Sequence, residues 1–378
     1  MGVVLVGNMT HGMDKKVFLY VGLSKTGSAF LRQEVFIKLD PSRVCVNPEG
    51  VTRAFQEMHA AHYSSACKNS VEKIVVEAFS HITQDIVLIT DTSLAGDPED
   101  NFRQFDKITD FLVKLFPNAS IIITLRNQVD WLLSLYKHLT PGLEVSVAKF
   151  LNFSNGKFHP KNEENFPNVD ALGFDFAEKC DRYVRMFGRE NVHILFHEDL
   201  VTDPENFVRR VGGIFGCDVV GDVHFRTENR SFSSLAIQLT LYKEKLRALM
   251  VRDKSRLHQK GWLLRVIQWL GKYDLGEELW QNVIRKKGVL YAPAMLLRRF
   301  LLKLRWDYFI RHGLDRIAYF DWDLLGKRKR ALLSRHYSRL NEGLRPYFRG
   351  QETESHYITA AWAESQANGS DADGSASR

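Results

Sequence analysis

In the stretch "VFLYVGLSKTGSAFLRQEVF", residues 17–36, an apolar run passes through a turn of small residues into helix-compatible sequence. Lys25 stands before Gly27 here, whereas the ATP-binding loop G-x-x-x-x-G-K-[ST] carries its lysine after the second glycine. The residue types suit an anion nonetheless. Gly22 and Gly27 let the backbone come close to a ligand, and Lys25 supplies a point charge. The hydroxyls of Ser24, Thr26 and Ser28 add donors, and the start of the next helix adds N–H groups and the positive end of its dipole. Phosphate or sulfate is the indicated ligand; a plain strand-to-helix turn is the alternative from this segment alone.

A second station is "SIIITLRNQVDWLLSLYKHL" (120–139). Arg126 ends an apolar run, Asn127 is placed to cap the following helix, and Ser134 lies eight residues on. A guanidinium fork with a nearby hydroxyl matches the oxygens of a second phosphate group. Read alone, a surface arginine and a filler serine would look the same.

Positioning these residues requires a scaffold. Short apolar runs rich in β-branched residues recur at 16–22, 43–47, 85–91, 120–126 and 191–197, with helix-compatible stretches between them such as 101–117 and 175–188. The last two stop at Pro117 and Gly188. Strands apolar on both faces and separated by helices indicate an α/β fold with a mostly parallel sheet of about five strands, covered on both sides. Ligands of such sheets sit beyond the carboxyl ends of the strands, where Lys25 and Arg126 both fall. Residues 141–172, with Pro141, Gly142, Asn155, Gly156, Pro160 and Pro167, read as a loop-rich excursion or lid.

Taken together, the two stations resemble the sulfotransferase family, whose first turn reads P-K-x-G-[ST]-[ST] and whose later strand and helix read R-[ND]-P-x-[DE]-x-x-x-S. Here they stand as "LSKTGSAFL" and "LRNQVDWLLS". "NVHILFHEDLVTDPENFVRRVGGIFG" (191–216) is similar to the family's strand, Y-E-D-L, acidic Pro turn and helix. "HYSRLNEGLRPYF" (336–348) is similar to its closing helix of pattern Y-x-x-x-N-x-x-L.

The resemblance implies a P-loop-like fold and the donor 3′-phosphoadenosine 5′-phosphosulfate, PAPS, with no metal. It assigns Ser24, Lys25, Thr26, Gly27 and Ser28 to the 5′ side, Arg126 and Ser134 to the 3′-phosphate, and His197 to the region near the adenine. Lys25 would also neutralise charge on the leaving phosphate. Four departures stand out: Ser24 and Gln128 replace prolines, Ala29 replaces a hydroxyl residue, and His197 replaces the tyrosine of Y-E-D-L.

Transfer to a hydroxyl needs a base, and carboxylate or histidine are the usual choices. Asp91, closing "DIVLITD", is expected beside the first strand and is the candidate, against a reading in which it only caps the turn "TSLAGD". His59, His62 and His138 are held in reserve. The acceptor expected is a hydroxyl, less readily an amine, of a carbohydrate, glycolipid or other small molecule. The competing readings are a nucleotide-dependent kinase, which lacks the lysine after the glycine, and an inactive relative acting as a membrane or polyanion adaptor.

The chain has 378 residues, enough for a large core. It divides on sequence into an N-terminal segment (1–15), an α/β core (16–240), a basic helical extension (241–350) and a Gly/Ser/Asp-rich tail (351–378) expected to be disordered. Residues 241–350 hold 26 Lys and Arg against 10 Asp and Glu, a surplus of 16 against +7 for the whole chain. The remainder is therefore net negative by 9. Three readings of the extension compete: core-packing helices with a solvated basic face, an interfacial membrane surface, or a cleft for an acidic polymer.

Cys45, Cys67, Cys180 and Cys217 are far apart and form no C-x-x-C pair, which argues against a disulfide framework or zinc site. No run of about 18 uncharged apolar residues occurs. The start lacks a charged n-region, and Val6 stands where myristoylation needs Ser or Thr. A cytoplasmic protein, with peripheral membrane association as an option and no nucleic-acid partner, is the expectation.

Overall fold

The structure, a computed structural model, describes residues 15–143, 145–161, 168–225, 231–242, 313, 315, 319–348 and 351–358. Most of the basic extension, the first 14 residues and 359–378 lie outside the described residues, so the readings offered for them are not taken further. By contacts the chain separates into two compact units, one of 1–135, 148–230 and 325–378, the other of 136–147 and 231–324.

The first unit is built on a five-stranded parallel sheet. Its strands are β1 (Lys16–Gly22), β2 (Val44–Val46), β3 (Ile86–Thr90), β4 (Ser120–Leu125) and, after two short strands described below, β7 (Val192–Phe196). All five match the apolar runs read from sequence. The central strands are buried on both faces: in β1, Phe18, Leu19, Tyr20 and Val21 have no exposed surface. Each such side chain contributes roughly 1.5–3 kcal/mol by leaving water, which explains the unbroken apolar text of these segments.

The order is β2-β3-β1-β4-β7. From β1 the chain moves outward to β2, returns to β3 beside β1, and crosses to β4 on the opposite side. That reversal puts a topological switch point at the carboxyl ends of β1 and β4, where open α/β sheets form their ligand crevice. Lys25 follows the first of these strands and Arg126 ends the run of the second.

Helices cover both faces. On one, Phe18, Tyr20, Ile122 and Leu195 pack with Leu31, Phe36, Phe207 and Phe215. On the other, fully buried Trp131 meets Phe102, Phe174 and Phe176 at ring-centroid distances of 6.0, 4.9 and 5.4 Å. The Phe176–Phe187 helix starts where the Asp175 carboxylate accepts from the Glu178 N–H at 3.0 Å and stops at Gly188, at φ 87°.

Three expectations are corrected. The tail expected to be disordered from residue 351 begins as a helix, Gln351–Tyr357, with Tyr357 buried. The segment after the first turn is not one regular α-helix: a helical turn at Ser28–Phe30 widens to a π turn over Leu31–Val35 and tightens to a 3₁₀ turn at Phe36–Lys38. π turns cluster at functional sites, where they re-aim side chains. The excursion after residue 141 is also less loop-like than its composition suggests. The helix Gln128–Leu143 runs past Pro141, which removes one donor in the last turn without ending the helix. The chain that follows is tied back where the Tyr136 hydroxyl donates to the Val145 carbonyl at 2.9 Å. Farther on, β5 (Phe153–Ser154) and β6 (Lys157–Phe158) form a hairpin around Asn155-Gly156, both at positive φ, as a tight Asn-Gly turn requires.

In the second unit, buried Lys137 pairs with Asp321 at 2.5 Å, and the Ser234 N–H donates to the same carboxylate oxygen at 3.1 Å. Among the described residues no helix is long and apolar enough to cross a membrane.

Candidate active site

The turn after β1 is shaped by its own backbone and by β4. The Leu23 N–H donates to the Thr124 carbonyl at 3.0 Å, and the Thr26 hydroxyl turns inward to donate to the Leu23 carbonyl at 2.6 Å. Thr26 has no exposed surface, so its side chain shapes the loop. Gly27, at φ 89°, could carry no side chain without meeting Leu200 at 2.9 Å, with His197 next at 3.6 Å. Lys25 itself holds φ 65°, an uncommon conformation for a residue with a side chain and one that clusters at ligand clamps.

Arg126 meets this loop directly. Its Nη1 donates to the Lys25 carbonyl at 3.5 Å, the long limit of a hydrogen bond, across 101 residues of chain. The next helix is fastened to the same turn: the Trp131 indole N–H donates to the Ser24 carbonyl at 2.8 Å. Asn127 caps this helix, its Oδ1 accepting from Val129 at 3.0 Å and from Asp130 at 3.4 Å. Ser134 lies seven residues beyond Asn127, on the same helix face, and is 8% exposed.

The residue in place of the family proline, Gln128, has a definite structural partner. It is completely buried and pairs amide to amide with Asn341, Nε2 to Oδ1 at 2.7 Å and Nδ2 to Oε1 at 3.0 Å. Asn341 follows the helix Lys327–Leu340 and is the asparagine of the closing pattern. The tyrosine and leucine of that pattern, Tyr337 and Leu344, are buried as well, and the Tyr337 hydroxyl donates to the Ala171 carbonyl. Proline could not make this exchange, having no side-chain amide.

His197 starts the helical turn His197–Thr202 after β7, beside Gly27. Burial, and next the positive charge of Arg126, lower its pKa to about 4, so the imidazole is neutral at pH 7. The neighbouring Glu198 accepts from the Asn127 N–H at 2.8 Å and from the Tyr357 hydroxyl at 2.9 Å. Burial raises its pKa despite these donors.

Asp91 lies at the end of β3, next to β1, its N–H donating to the Tyr20 carbonyl at 3.1 Å. It is 5% exposed. One carboxylate oxygen accepts from the Ser93 N–H at 2.8 Å and caps the turn Thr92–Ala95; the other is buried with no hydrogen-bond partner among the described residues. Burial pushes its pKa up, opposed by the Ser93 bonds and by the charges of Arg32 and His59. Capping is thus observed, and one basic oxygen is left over. Thr92 packs against Gly22, where a Cβ would come within 3.1 Å of its methyl.

Of the reserve histidines, His59 bonds through Nδ1 to the Tyr63 hydroxyl at 3.2 Å, near Asp91, while His62 and His138 are exposed. Sequence reasoning missed Arg32, Trp131 and Glu198. Arg32 had a signal, since it lies one helical turn past Ser28 and its Nε donates to the Ser28 carbonyl at 3.4 Å. Trp131 and Glu198 act through contacts far apart in the chain, which spacing does not display. No group of His, Cys, Asp and Glu that could hold a metal occurs among the described residues.

The fold is a parallel α/β one, with the Lys25 turn and Arg126 together at its switch point. Residues 47–220 match the sequence profile described as the Sulfotransferase family. That stretch contains Asp91, Arg126, Ser134 and His197 and begins after the Lys25 turn. Among curated proteins none matches this sequence. Solved structures with a similar course include a sulfotransferase from Alicyclobacillus acidocaldarius, with 19% identity over 66% of this chain and 99% of that one and a TM-score of 0.41. Mouse sulfotransferase SULT7A1 complexed with PAP follows, with 12% identity over 63% and 67% and a TM-score of 0.30. The sulfotransferase domain from the curacin biosynthetic pathway has 14% identity over 57% and 76% and a TM-score of 0.29.

Proposed function

We propose that this protein moves a sulfuryl group from PAPS to a hydroxyl of a carbohydrate, a glycolipid or another small acceptor. The observation that carries the reading is the approach of the Arg126 guanidinium to the Lys25 turn at the switch point. Two cationic residues from distant parts of the sequence thereby meet at one loop, which supports a nucleotide with anionic groups at both ends of its ribose.

The residues present fit that nucleotide. Gly27 leaves the backbone open to a close approach, Ser28 opens the following helical segment, and the neutral imidazole of His197 offers an aromatic face. In this reading Lys25 and Ser28 hold the 5′ side, and Arg126 with Ser134 holds the 3′-phosphate. Ser24, Thr26 and Gly27 give the loop its shape. PAPS, when bound, supplies an activated sulfuryl group on a good leaving phosphate. Lys25 neutralises the charge that builds on that phosphate, and preorganised cations of this kind act most strongly where water is excluded. Asp91, at the end of β3 beside β1, takes the acceptor's proton, and its raised pKa makes it a stronger base than an ordinary aspartate.

Isothermal titration with 3′-phosphoadenosine 5′-phosphate, AMP and ATP tests the reading. The 3′-phosphorylated nucleotide should bind at least tenfold more tightly than AMP or ATP, and Arg126→Ala should erase the difference. Equal affinity for all three, or an unaffected Arg126→Ala, would overturn it.

A further inference from the structure

Glu198 follows His197 on the turn after β7, and its two carboxylate oxygens are held from different parts of the chain. Oε1 accepts from the Asn127 backbone N–H at 2.8 Å, and Oε2 accepts from the Tyr357 hydroxyl at 2.9 Å. The first bond falls on the peptide that joins Arg126 to Asn127. What the carboxylate fixes is therefore the backbone from which the Arg126 guanidinium projects. Arg126 lies close enough to both groups for its positive charge to act on the carboxyl and on the hydroxyl.

The Tyr357 end of this bridge is firmly set. Tyr357 closes the helix Gln351–Tyr357, is buried, and packs its ring against Phe196 and Phe348 at centroid distances of 5.2 and 5.5 Å. Its carbonyl accepts from the Asn341 side-chain amide at 3.1 Å. Burial, and next the charge of Glu198, lifts the hydroxyl's pKa well above the ordinary tyrosine value, so it stays a donor at neutral pH. The same helix grips the residues on either side of the bridge: the His356 carbonyl accepts from the Asn127 side-chain amide, and the Thr353 hydroxyl donates to Asp199.

We propose that Glu198 and Tyr357 are positioning residues for Arg126: the hydroxyl holds the carboxylate, the carboxylate holds the Arg126–Asn127 peptide, and the guanidinium is thereby aimed at the 3′-phosphate of the donor. This inference rests on the PAPS reading above. A long side chain ordered in advance spares the ligand the cost of ordering it, a difference of about three- to tenfold in affinity. That gain belongs only to nucleotides that carry the 3′-phosphate.

The test is the ratio of affinities for 3′-phosphoadenosine 5′-phosphate and AMP, titrated calorimetrically into the full chain. Tyr357→Phe and Glu198→Ala should each lower that ratio by about three- to tenfold, the difference argued above, with AMP affinity and circular dichroism unchanged. Glu198→Gln keeps a carbonyl oxygen for the Asn127 N–H and should lose no discrimination. Tyr337→Phe, which deletes another buried hydroxyl of this unit, the one that donates to Ala171, should leave the ratio as in the wild type. Should Glu198→Ala fail to fold, Tyr357→Phe, lacking a single oxygen, decides. Equal affinity of the wild type for the two nucleotides would overturn the PAPS reading and this inference with it. A wild-type preference that survives in Tyr357→Phe, an equal fall for both nucleotides, a matching fall in Tyr337→Phe, a loss of discrimination in Glu198→Gln, or a higher ratio in Glu198→Ala would each overturn the positioning role alone.

Discussion

Gln128 and Asn341, 213 residues apart in the chain, exchange two amide hydrogen bonds in a fully buried setting. The pair fixes the start of the helix that follows Arg126. Truncating one partner leaves a buried amide without its bonds, at about 1–3 kcal/mol. Gln128→Ala and Asn341→Ala should each lower stability by roughly that amount. The double variant should lose less than the sum, which a denaturant-based double-mutant cycle reads directly.

Lys25 should matter more to turnover than to affinity. Lys25→Ala is expected to slow release of 3′-phosphoadenosine 5′-phosphate from PAPS by about 100-fold or more, the usual effect of removing a group that stabilises charge in the transition state. Binding of the nucleotide product should fall by a smaller factor, because Arg126 and the turn's backbone remain. Steady-state kinetics together with calorimetry separate the two effects.

Asp91 should leave its mark on the pH profile. As a base with a pKa raised by burial, it predicts an acid limb in kcat/KM whose midpoint lies above the ordinary aspartate range. Asp91→Asn should remove that limb and reduce the rate by about 10²–10⁴-fold while nucleotide affinity is kept. Full turnover in a variant that binds normally would exclude the role and leave Asp91 as the cap of Thr92–Ala95.

His197 should make the fold acid-sensitive. Its pKa of about 4 lies below the ordinary histidine value of 6.5, so between those pH values the unfolded chain binds a proton that the folded chain does not. Stability should therefore fall as pH drops from 6.5 toward 4, and His197→Phe should flatten that part of the curve. Thermal melts across this range give the comparison.

The five strands were legible because each is buried on both faces and its text is a continuous apolar run. The placement of Lys25 and Arg126 just after strand ends was legible for a related reason, since each follows one of those runs. Adjacency of Asp91 to the first strand was also foreseen, and the pairing of β3 with β1 bears it out. What spacing did not display was the meaning of Gln128, whose partner belongs to a helix two hundred residues away. The indole of Trp131 and the carboxylate of Glu198 were hidden likewise, because a hydrogen bond to a distant backbone leaves no periodic trace. The π turn at Leu31–Val35 was missed because the same residues suit a regular helix.

The lacing of Asn127 and Gln128 to residues some two hundred positions later has a consequence for biosynthesis. Asn127 donates to the His356 carbonyl, Glu198 bonds to Tyr357, and Gln128 waits for Asn341. A nascent polypeptide emerging from the ribosome can pair its five strands long before these clasps exist. The turn beside Arg126 is therefore braced only after residues 341–357 have been translated, and a product stopped before them would carry the sheet without these clasps.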